Sequence, residues 1–494
     1  MDFIWNFPLF SIVSCLFCGV ISSVLPRKAA RYLSWTLVSV VMAMSAGVLY
    51  YTAVLGESFT YMMGHYPAPW GNEVRAGVLE GSMAVFFCLI MLPALVAGTK
   101  YLEQDVQESK QNLYYSLVNL MLSSLLALVY TNDIFTAYVF VEINTIAACG
   151  LIMIKGNGRS LLASAKYMIM SLLGSGMLLI GITLLYDVTG HLLMTSIHES
   201  VLQIVATGQY ADSLTVIIAL ISVGLAIKSA LYPFHSWLPD AYGYSTPSSS
   251  AILSSLVSKA YIFLLLKIFF RVIGWEVILQ FNIKDILYGF GIIGMIMGSV
   301  SASMQKDARK MVAYSSIAQI GYIYMGFGLG SIAGVVASIF HIFMHASAKS
   351  MMFISLAGLR EVSQDKTEFK ALRGAGYRNK LAGVAFTAGA LSMIGIPLFG
   401  GFISKILFAS AAVENGIFKM VLTLIVLAIS TILNAWYFFR AVITIYTPRR
   451  KEKGQAVSLG YAVAMIGFIA VNIFFGIFSD IVIEGIQTGL SMFV

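Results

Sequence analysis

Seven titratable side chains stand in stretches that are otherwise apolar: Glu142, Lys228, Lys259, His341, His345, Lys349 and Lys405. Glu142 lies within YVFVEINTIAACG, and Lys228 begins KSALYPFHSWLPDAY. In HIFMHASAKSMMF, His341, His345 and Lys349 recur at four-residue steps. At about 100° per residue, that spacing holds them within roughly 80° of one another on a helix. An HxxxH pair can bind zinc, but no carboxylate lies between these histidines and the nearby lysine repels a cation, so no metal is expected. Histidine exchanges protons near neutral pH, and a desolvated lysine releases its proton more readily than an exposed one. Such groups in series are the material of a proton relay.

Each of these residues also has a structural reading. Glu142 could serve a fixed ion pair, the histidines an interhelical hydrogen bond, and a lysine near the end of an apolar run could reach to the interface. That last reading suits Lys166 and Arg440. It does not suit Lys228, Lys259 or Lys405, which lie mid-run or beside an interruption. His235, Asp240 and Lys166 are secondary candidates for the same relay. No phosphate-binding loop, haem or iron–sulfur cysteine pattern, or nucleophile motif occurs in the chain. No cofactor is expected, and whether the chain belongs to an enzyme depends on a redox centre it does not itself carry.

The elements that position these residues are set by the solvent. Of 494 residues, 59% are hydrophobic and 11% charged, against about 25% charged in a soluble domain, so most of the chain must face lipid. Apolar runs fall at 8–25, 32–54, 79–99, 113–131, 134–154, 162–186, 213–234, 247–272, 285–304, 311–328, 332–358, 381–411, 417–446 and 456–484. The chain therefore reads as an all-α integral membrane protein of about fourteen transmembrane helices. The opening MDFIWNFPLF lacks a basic segment and reads as part of a retained span. Cys15 and Cys18 have a metal-like spacing, but within an apolar run they read as packing.

The net charge of +8 does not point to nucleic acid, because the basic residues cluster between runs and form no basic stripe. Twenty of the 31 fall in loops that follow odd-numbered runs. Arg75, Lys267, Arg271, Lys284 and Lys419 are assigned to the opposite side, and six lie inside runs. The positive-inside rule then predicts a multi-pass protein of the cell (cytoplasmic) membrane with both termini outside.

Two runs carry helix breakers beside their lysines: Pro233 and Pro239 after Lys228, and Pro397, Gly400 and Gly401 before Lys405. Each broken helix, 7 and 12, is the fourth of a five-helix unit. The expected organisation is 1–112 for helices 1–3, 113–272 for helices 4–8, 285–447 for helices 9–13 and 448–494 for helix 14. Five is odd, so the two five-helix units form an inverted repeat, a transporter architecture.

The residues so assembled resemble the antiporter-like subunits of Mrp-type sodium/proton antiporters, membrane-bound hydrogenases and respiratory complex I. The resemblance spans nearly the whole chain and rests on Glu142, on KSALYPFHSWLPDAYGYSTPSSSAILSSLVSK from Lys228 to Lys259, on the HxxxHAxxK stripe, and on PLFGGFISK ending at Lys405. It implies that Glu142 and Lys228 pair, that Lys259 is a central relay linked through His341 and His345, and that Lys405 is the terminal proton donor or acceptor. The segment HYPAPWGNEVRAG at 65–77 is most similar to the Mrp D subunit and its hydrogenase counterpart. Met344 departs from the asparagine common in the helix 11 motif, and PLFGG from the commoner double proline. The chain stops soon after the fourteenth run, so the long lateral helix of the most distal complex I subunit is not expected. The implied partners are H+, with Na+ left open, the bilayer and other membrane subunits. The function is ion translocation coupled to redox energy or an ion gradient; a subunit of a stand-alone Mrp antiporter and a non-conducting membrane scaffold are the alternatives.

Overall fold

The computed structural model describes residues 2–67, 70–448, 454 and 456–493. Helices α1 (Phe7–Val24), α2 (Arg27–Leu55), α3 (Val78–Asp105), α4 (Gln111–Tyr130), α5 (Ile134–Met153) and α6 (Gly158–Thr189) follow the first six apolar runs closely. The seventh run yields α8 (Ala211–Ser229), preceded by the short α7 (Met194–Thr207) and followed, after a break, by α9 (Leu238–Tyr244). The eighth run folds as α10 (Pro247–Ile252) and α11 (Ser258–Lys267), with π-helical turns at Leu253–Val257 and Ile268–Ile273. After α12 (Trp275–Gln280) come α13 (Ile283–Ser303), α14 (Ala308–Leu329), α15 (Ile332–Glu361) and the single turn α16 (Ala375–Arg378). The twelfth run is split into α17 (Lys380–Ile394) and α18 (Gly400–Val413), and α19 (Ile417–Tyr446), α20 (Leu459–Ile477) and α21 (Ser479–Ser491) complete the chain.

Eleven helices among the described residues are long and apolar enough to cross a bilayer. Runs 247–272, 311–328 and 381–411 are not among them; the first is divided by π turns, and the third is broken into two shorter apolar helices. In lipid, apolar side chains may face outward at no cost, so the buried interior gathers the polar groups instead. The long α15 is the most enclosed span and packs against α3, α10, α14, α17, α18 and α20, whereas α19 leaves most of its apolar surface outward.

Loops that follow odd-numbered runs meet on one face through ion pairs: Arg31 with Glu103 at 2.9 Å, Lys155 with Asp105 at 2.9 Å, Arg360 with Asp105 at 3.2 Å, and Lys100 with Glu361. At the other face, Lys419 reaches Asp285 at 2.6 Å. There a hairpin pairs Phe59–Met62 with Glu73–Ala76, the one two-stranded sheet among the described residues. Residues 68 and 69 of the 65–77 segment lie outside the described residues. Asn132 ties the hairpin to the α4–α5 corner by donating to Glu73 O at 3.0 Å. Nothing in the hydrophobic pattern signals either the hairpin or α7, which buries Met194, Ile197 and Val201.

Several sequence expectations change in structural detail. Lys267 and Arg271, assigned above to the opposite side with the basic residues outside the runs, stand inside a helix that continues to Ile273 through a π turn, and both side chains are buried. Run 456–484 is two helices meeting at Phe478 (φ −106°, ψ 34°). Extending α20 would carry Asp480 and Glu484 through lipid, whereas the separate α21 keeps both exposed and buries Ile486 and Leu490. Pro239 does not break a helix but sits in the first turn of α9, where a missing N–H costs nothing. Gly400 and Gly401 are likewise helical, the first residues of α18. A Cβ on Gly401 would lie 1.7 Å from Ser392 O, so its lack of a side chain lets α18 press against α17. The chain reverses instead at Gly395 (φ 88°) and Leu398 (φ 87°).

Gly401→Ala should therefore lower the unfolding midpoint of the detergent-solubilised protein, by the equivalent of about 1–3 kcal/mol for overpacking. Gly467→Ala in α20, where an added Cβ meets nothing within 4 Å, should leave the midpoint unchanged or raise it.

Candidate functional site

α5, α6 and α8 build the first part of a buried polar line. Asp133 caps α5 by accepting from Thr136 N at 2.6 Å, which fixes the phase that turns Glu142 and Thr145 toward α6. Lys228, fully buried in the last turn of α8, donates to Thr145 Oγ1 at 2.8 Å and Ser171 Oγ at 3.1 Å, and reaches Glu142 Oε1 at 3.4 Å. Ser175 donates to the same carboxylate oxygen. Gly174 makes room for the lysine stem: a Cβ there would sit 3.1 Å from Lys228 Cγ and 2.8 Å from Gly224 O. The ammonium is thus held more closely by two hydroxyls than by its carboxylate, a short-range arrangement in which either partner can be exchanged. Its ring neighbour is Tyr261, 5.5 Å away, whose hydroxyl donates to Asn144 at 3.4 Å.

Lys259 follows the first π turn of its helix. The π register frees the Ser254 carbonyl, which accepts directly from the lysine. No carboxylate pairs with it among the described residues. Its charge lies within interaction range of His341, His345 and Lys349 on α15. Lys349 is anchored on α14, donating to Val312 O at 2.8 Å and to Ser315. His345 and His341 stack at 5.9 Å with 15° between planes, and Tyr322 also stacks on His341 at 5.3 Å. His341 Nδ1 shares a 2.7 Å hydrogen bond with Ser404 on α18. One residue further, Lys405 donates to Ile394 O at 2.5 Å and Thr431 Oγ1 at 2.8 Å. It therefore bridges the break from α18 back to the last residue of α17.

All seven primary candidates fall along one interior line, from Glu142 and Lys228 past Lys259 and the α15 stripe to Lys405. Buried atoms without a protein partner mark the same line: Asn144 Nδ2, Ser255 Oγ, Gln319 Nε2, His341 Nε2 and both ring nitrogens of His345. Of the secondary candidates, Lys166 pairs with Asp240 at 2.6 Å, and Lys310 approaches the same carboxylate at 3.6 Å. His235 stays in the α8–α9 link, stacked on Tyr232 at 5.0 Å. The breaks themselves match. α8 ends with Ala230 in the left-handed region and Leu231 N donating to Ala226 O; α17 ends with Gly395 left-handed and Ile396 N donating to Leu391 O.

Sequence reasoning missed two groups. The hydroxyls of Thr145, Ser171, Ser175 and Ser404 gave no signal beyond being polar in apolar runs. A second buried charge cluster also went unseen. Glu80 pairs with Arg271 at 2.5 Å, both almost fully buried, and Lys267 donates to Val129 O at 2.9 Å and to Thr131 O at the C-terminal end of α4. Phe493 lies over the Arg271 guanidinium at 4.1 Å. Fourfold spacing of Lys267 and Arg271 was the available clue.

Comparison with known proteins bears on this geometry. Residues 131–431 match the family model described as NADH:quinone oxidoreductase/Mrp antiporter, TM. The chain belongs to this family. Within it, NADH-quinone oxidoreductase subunit N of Desulforudis audaxviator is 32% identical over 460 residues, covering 91% of this chain and 88% of that one. A putative antiporter subunit, mnhA2, of Staphylococcus haemolyticus is 31% identical, covering 76% of this chain but only 49% of the longer relative. In fold, the chain superposes on a chain of the Mrp complex from Dietzia sp. DQ12-45-1b with a TM-score of 0.88 at 22% identity, covering 99% of this chain and 97% of that one. It superposes on a chain of the membrane-bound sulfane sulfur reductase, an archaeal respiratory membrane complex, with a TM-score of 0.89 at 24% identity, covering 100% and 98%. The chain is an antiporter-like, multi-pass membrane subunit of this family.

Removing one member of a buried ion pair costs about 3–5 kcal/mol, whereas replacing both by apolar residues can be neutral. Arg271→Leu alone should therefore sharply reduce the amount of folded protein recovered from membranes, and Glu80→Leu combined with Arg271→Leu should restore most of it. Quantitative immunoblotting of detergent extracts checks both.

Proposed function

We propose that this subunit conducts protons between the two faces of the membrane, with Glu142, Lys228, Lys259, His341, His345, Lys349 and Lys405 carrying the charge movement. The observation that supports this most is the placement of two buried polar groups beside the two broken helices, Glu142 with Lys228, and Lys259 with the α15 stripe and Lys405, with Tyr261 next to Lys228 and two residues from Lys259. An ionisable residue in a bilayer costs about 2.5–3.5 kcal/mol on insertion scales, and a scaffold has no need to retain seven in series. The orphaned nitrogens and hydroxyls between them are groups that water bridges, since a buried polar atom left unpaired costs about 1–3 kcal/mol.

In this reading residues 113–272 and 285–447 are inverted five-helix units, and the matching caps after α8 and α17 support the repeat. Lys228 is the switch. Its ammonium sits between the Glu142 carboxylate and the hydroxyls of Thr145 and Ser171, so a change of charge on either partner shifts it with little rearrangement. That movement alters the field at Lys259, then at the histidines, and finally at Lys405. The sequence carries no haem or iron–sulfur cysteine pattern, and in this reading the driving charge comes from neighbouring membrane subunits. The ion-paired basic face lies in the cytoplasm, with both termini outside. Sodium exchange would need a carboxylate site; Glu142, with a quarter of its side chain exposed, is the group of the line that could offer one.

Glu142→Gln and Lys228→Ala should each leave the complex assembled and remove most coupled transport. Lys259→Ala should also block it, and Lys166→Ala, on the surface pair with Asp240, should reduce it less. Ion pumping by inverted membrane vesicles, normalised to assembled complex, measures all four; normal pumping by the Lys228 variant would remove the switch from the proposal.

Lys405 provides the sharper test. A guanidinium stays charged, so Lys405→Arg keeps the charge but cannot pass a proton on. It should abolish turnover as Lys405→Ala does, while Lys405→His retains some transport with an altered pH profile. Wild-type pumping by Lys405→Arg would make Lys405 a fixed charge and end the relay at His341.

A further inference from the structure

A strongly charged concavity lies away from the polar line, on the face where loops after odd-numbered runs converge. It is a cavity of about 850 Å³ between the α5–α6 corner, the start of α14, the loop after α15 and the end of α19. Its wall at 306–308 and 367–369 is held by a short antiparallel bridge, with Ala308 N donating to Thr367 O at 2.9 Å and Phe369 N to Lys306 O at 3.1 Å. Eight Lys or Arg residues line it against three carboxylates. Positive-inside topology accounts for basic loops on this face, but it does not require that cations from four separate segments converge on one concavity.

Their partners show which of them are committed. Lys155 and Arg360 share Asp105, Lys310 leans on Asp240, and Arg309 is buried against Ser245 O at 2.5 Å and Ser250 Oγ at 2.6 Å. Lys306, Lys370 and Arg159 have no carboxylate partner among the described residues, and the two lysines are exposed. Even with Asp105 and Asp240 counted, cations outnumber carboxylates. Burial, and after it the charge of Arg309, pushes the Lys155 pKa down. Such a cavity repels protons and sodium ions and attracts an anion.

One wall leads into the lipid. Arg440 and Thr444 of α19 line the cavity, and Trp436 and Ile443, four residues before Arg440 and three after it, lie on the same helical face. Trp436 and Ile443 are 68% and 66% exposed, and Ile432 continues the stripe at 68%. Arg440 turns back from that stripe, donating to Ser303 O at 2.8 Å and Gln305 O at 2.9 Å, and its Nε is buried without a partner. A soluble anion would use only the cationic cavity. A molecule with a phosphate and acyl chains would use both the cavity and the stripe.

We propose that this cavity binds the phosphate headgroup of an anionic phospholipid, with Lys306, Lys370 and Arg159 facing the phosphate and the acyl chains lying along Ile432, Trp436 and Ile443. Basic pockets between membrane helices on the cytoplasmic face are suited to such headgroups.

The test is lipid retention by the full-length chain, both in its complex and alone, in detergent after delipidation. Phosphatidylglycerol, phosphatidylcholine or inorganic phosphate is added and bound lipid is read by native mass spectrometry. The expected result is selective retention of phosphatidylglycerol, undisturbed by millimolar phosphate, and weakened about thirtyfold in Lys306→Gln/Lys370→Gln. Both substitutions are at exposed positions, so folding is not at stake. Equal retention of phosphatidylcholine, or an unchanged double variant, would overturn the proposal. Competition by phosphate alone would reassign the cavity to a soluble anion. Retention by the isolated chain but not by the complex would mean that an acidic segment of a partner fills it, which also overturns the lipid assignment.

Discussion

A lysine ammonium buried in a membrane must find acceptors, and a regular helix has already used its own carbonyls. The interior of this protein answers that constraint repeatedly, mostly in the same way: charge is placed where helical hydrogen bonding is interrupted. Lys405 takes the Ile394 carbonyl at the α17 break, Lys259 takes Ser254 O beside a π turn, and Lys267 takes the last carbonyls of α4. Lys228, at the end of α8, uses hydroxyls from two neighbouring helices instead, and Lys349 uses the Val312 carbonyl and Ser315 within the unbroken α14. Breaks and charges therefore arise together, because each makes the other tolerable in lipid.

The same pairing separates the two kinds of buried charge. Lys267 is held by several carbonyls, and Arg271 sits against Glu80 beneath Phe493, an arrangement that fixes position. Lys228 and Lys259 have looser surroundings, with a carboxylate at 3.4 Å in one case and none in the other. Loosely held charge can respond to a neighbour; tightly held charge sets the frame in which that response occurs. His341 stands between these extremes, fixed by Ser404 on one nitrogen and open on the other.

The sequence showed the apolar runs, the two interruptions and every primary member of the polar line, because a charge in a long hydrophobic stretch is conspicuous. It did not show the π turns, which change hydrogen-bond register without changing composition and which carry Lys267 and Arg271 into the buried interior. Glycine beside proline suggests a break at Gly400 and Gly401, yet only space for the Ser392 carbonyl explains Gly401. Serines and threonines on α5 and α6 were invisible as site residues: a small hydroxyl is ordinary in a membrane helix until a lysine from another helix meets it.

The cover that Phe493 places over Arg271 has a consequence for how the protein is made. Glu80 and Arg271 emerge early from a ribosome and enter the bilayer long before α21 is synthesised, so their pair spends part of biogenesis without its aromatic lid. Gly476 imposes a similar delay on the other half, because the link at Leu398 passes against it, and a Cβ there would lie 2.1 Å from Leu398 O. Both halves are thus closed by helices translated after the spans they cover. Insertion can place the spans one after another, but the interior reaches its final form only when α20 and α21 arrive.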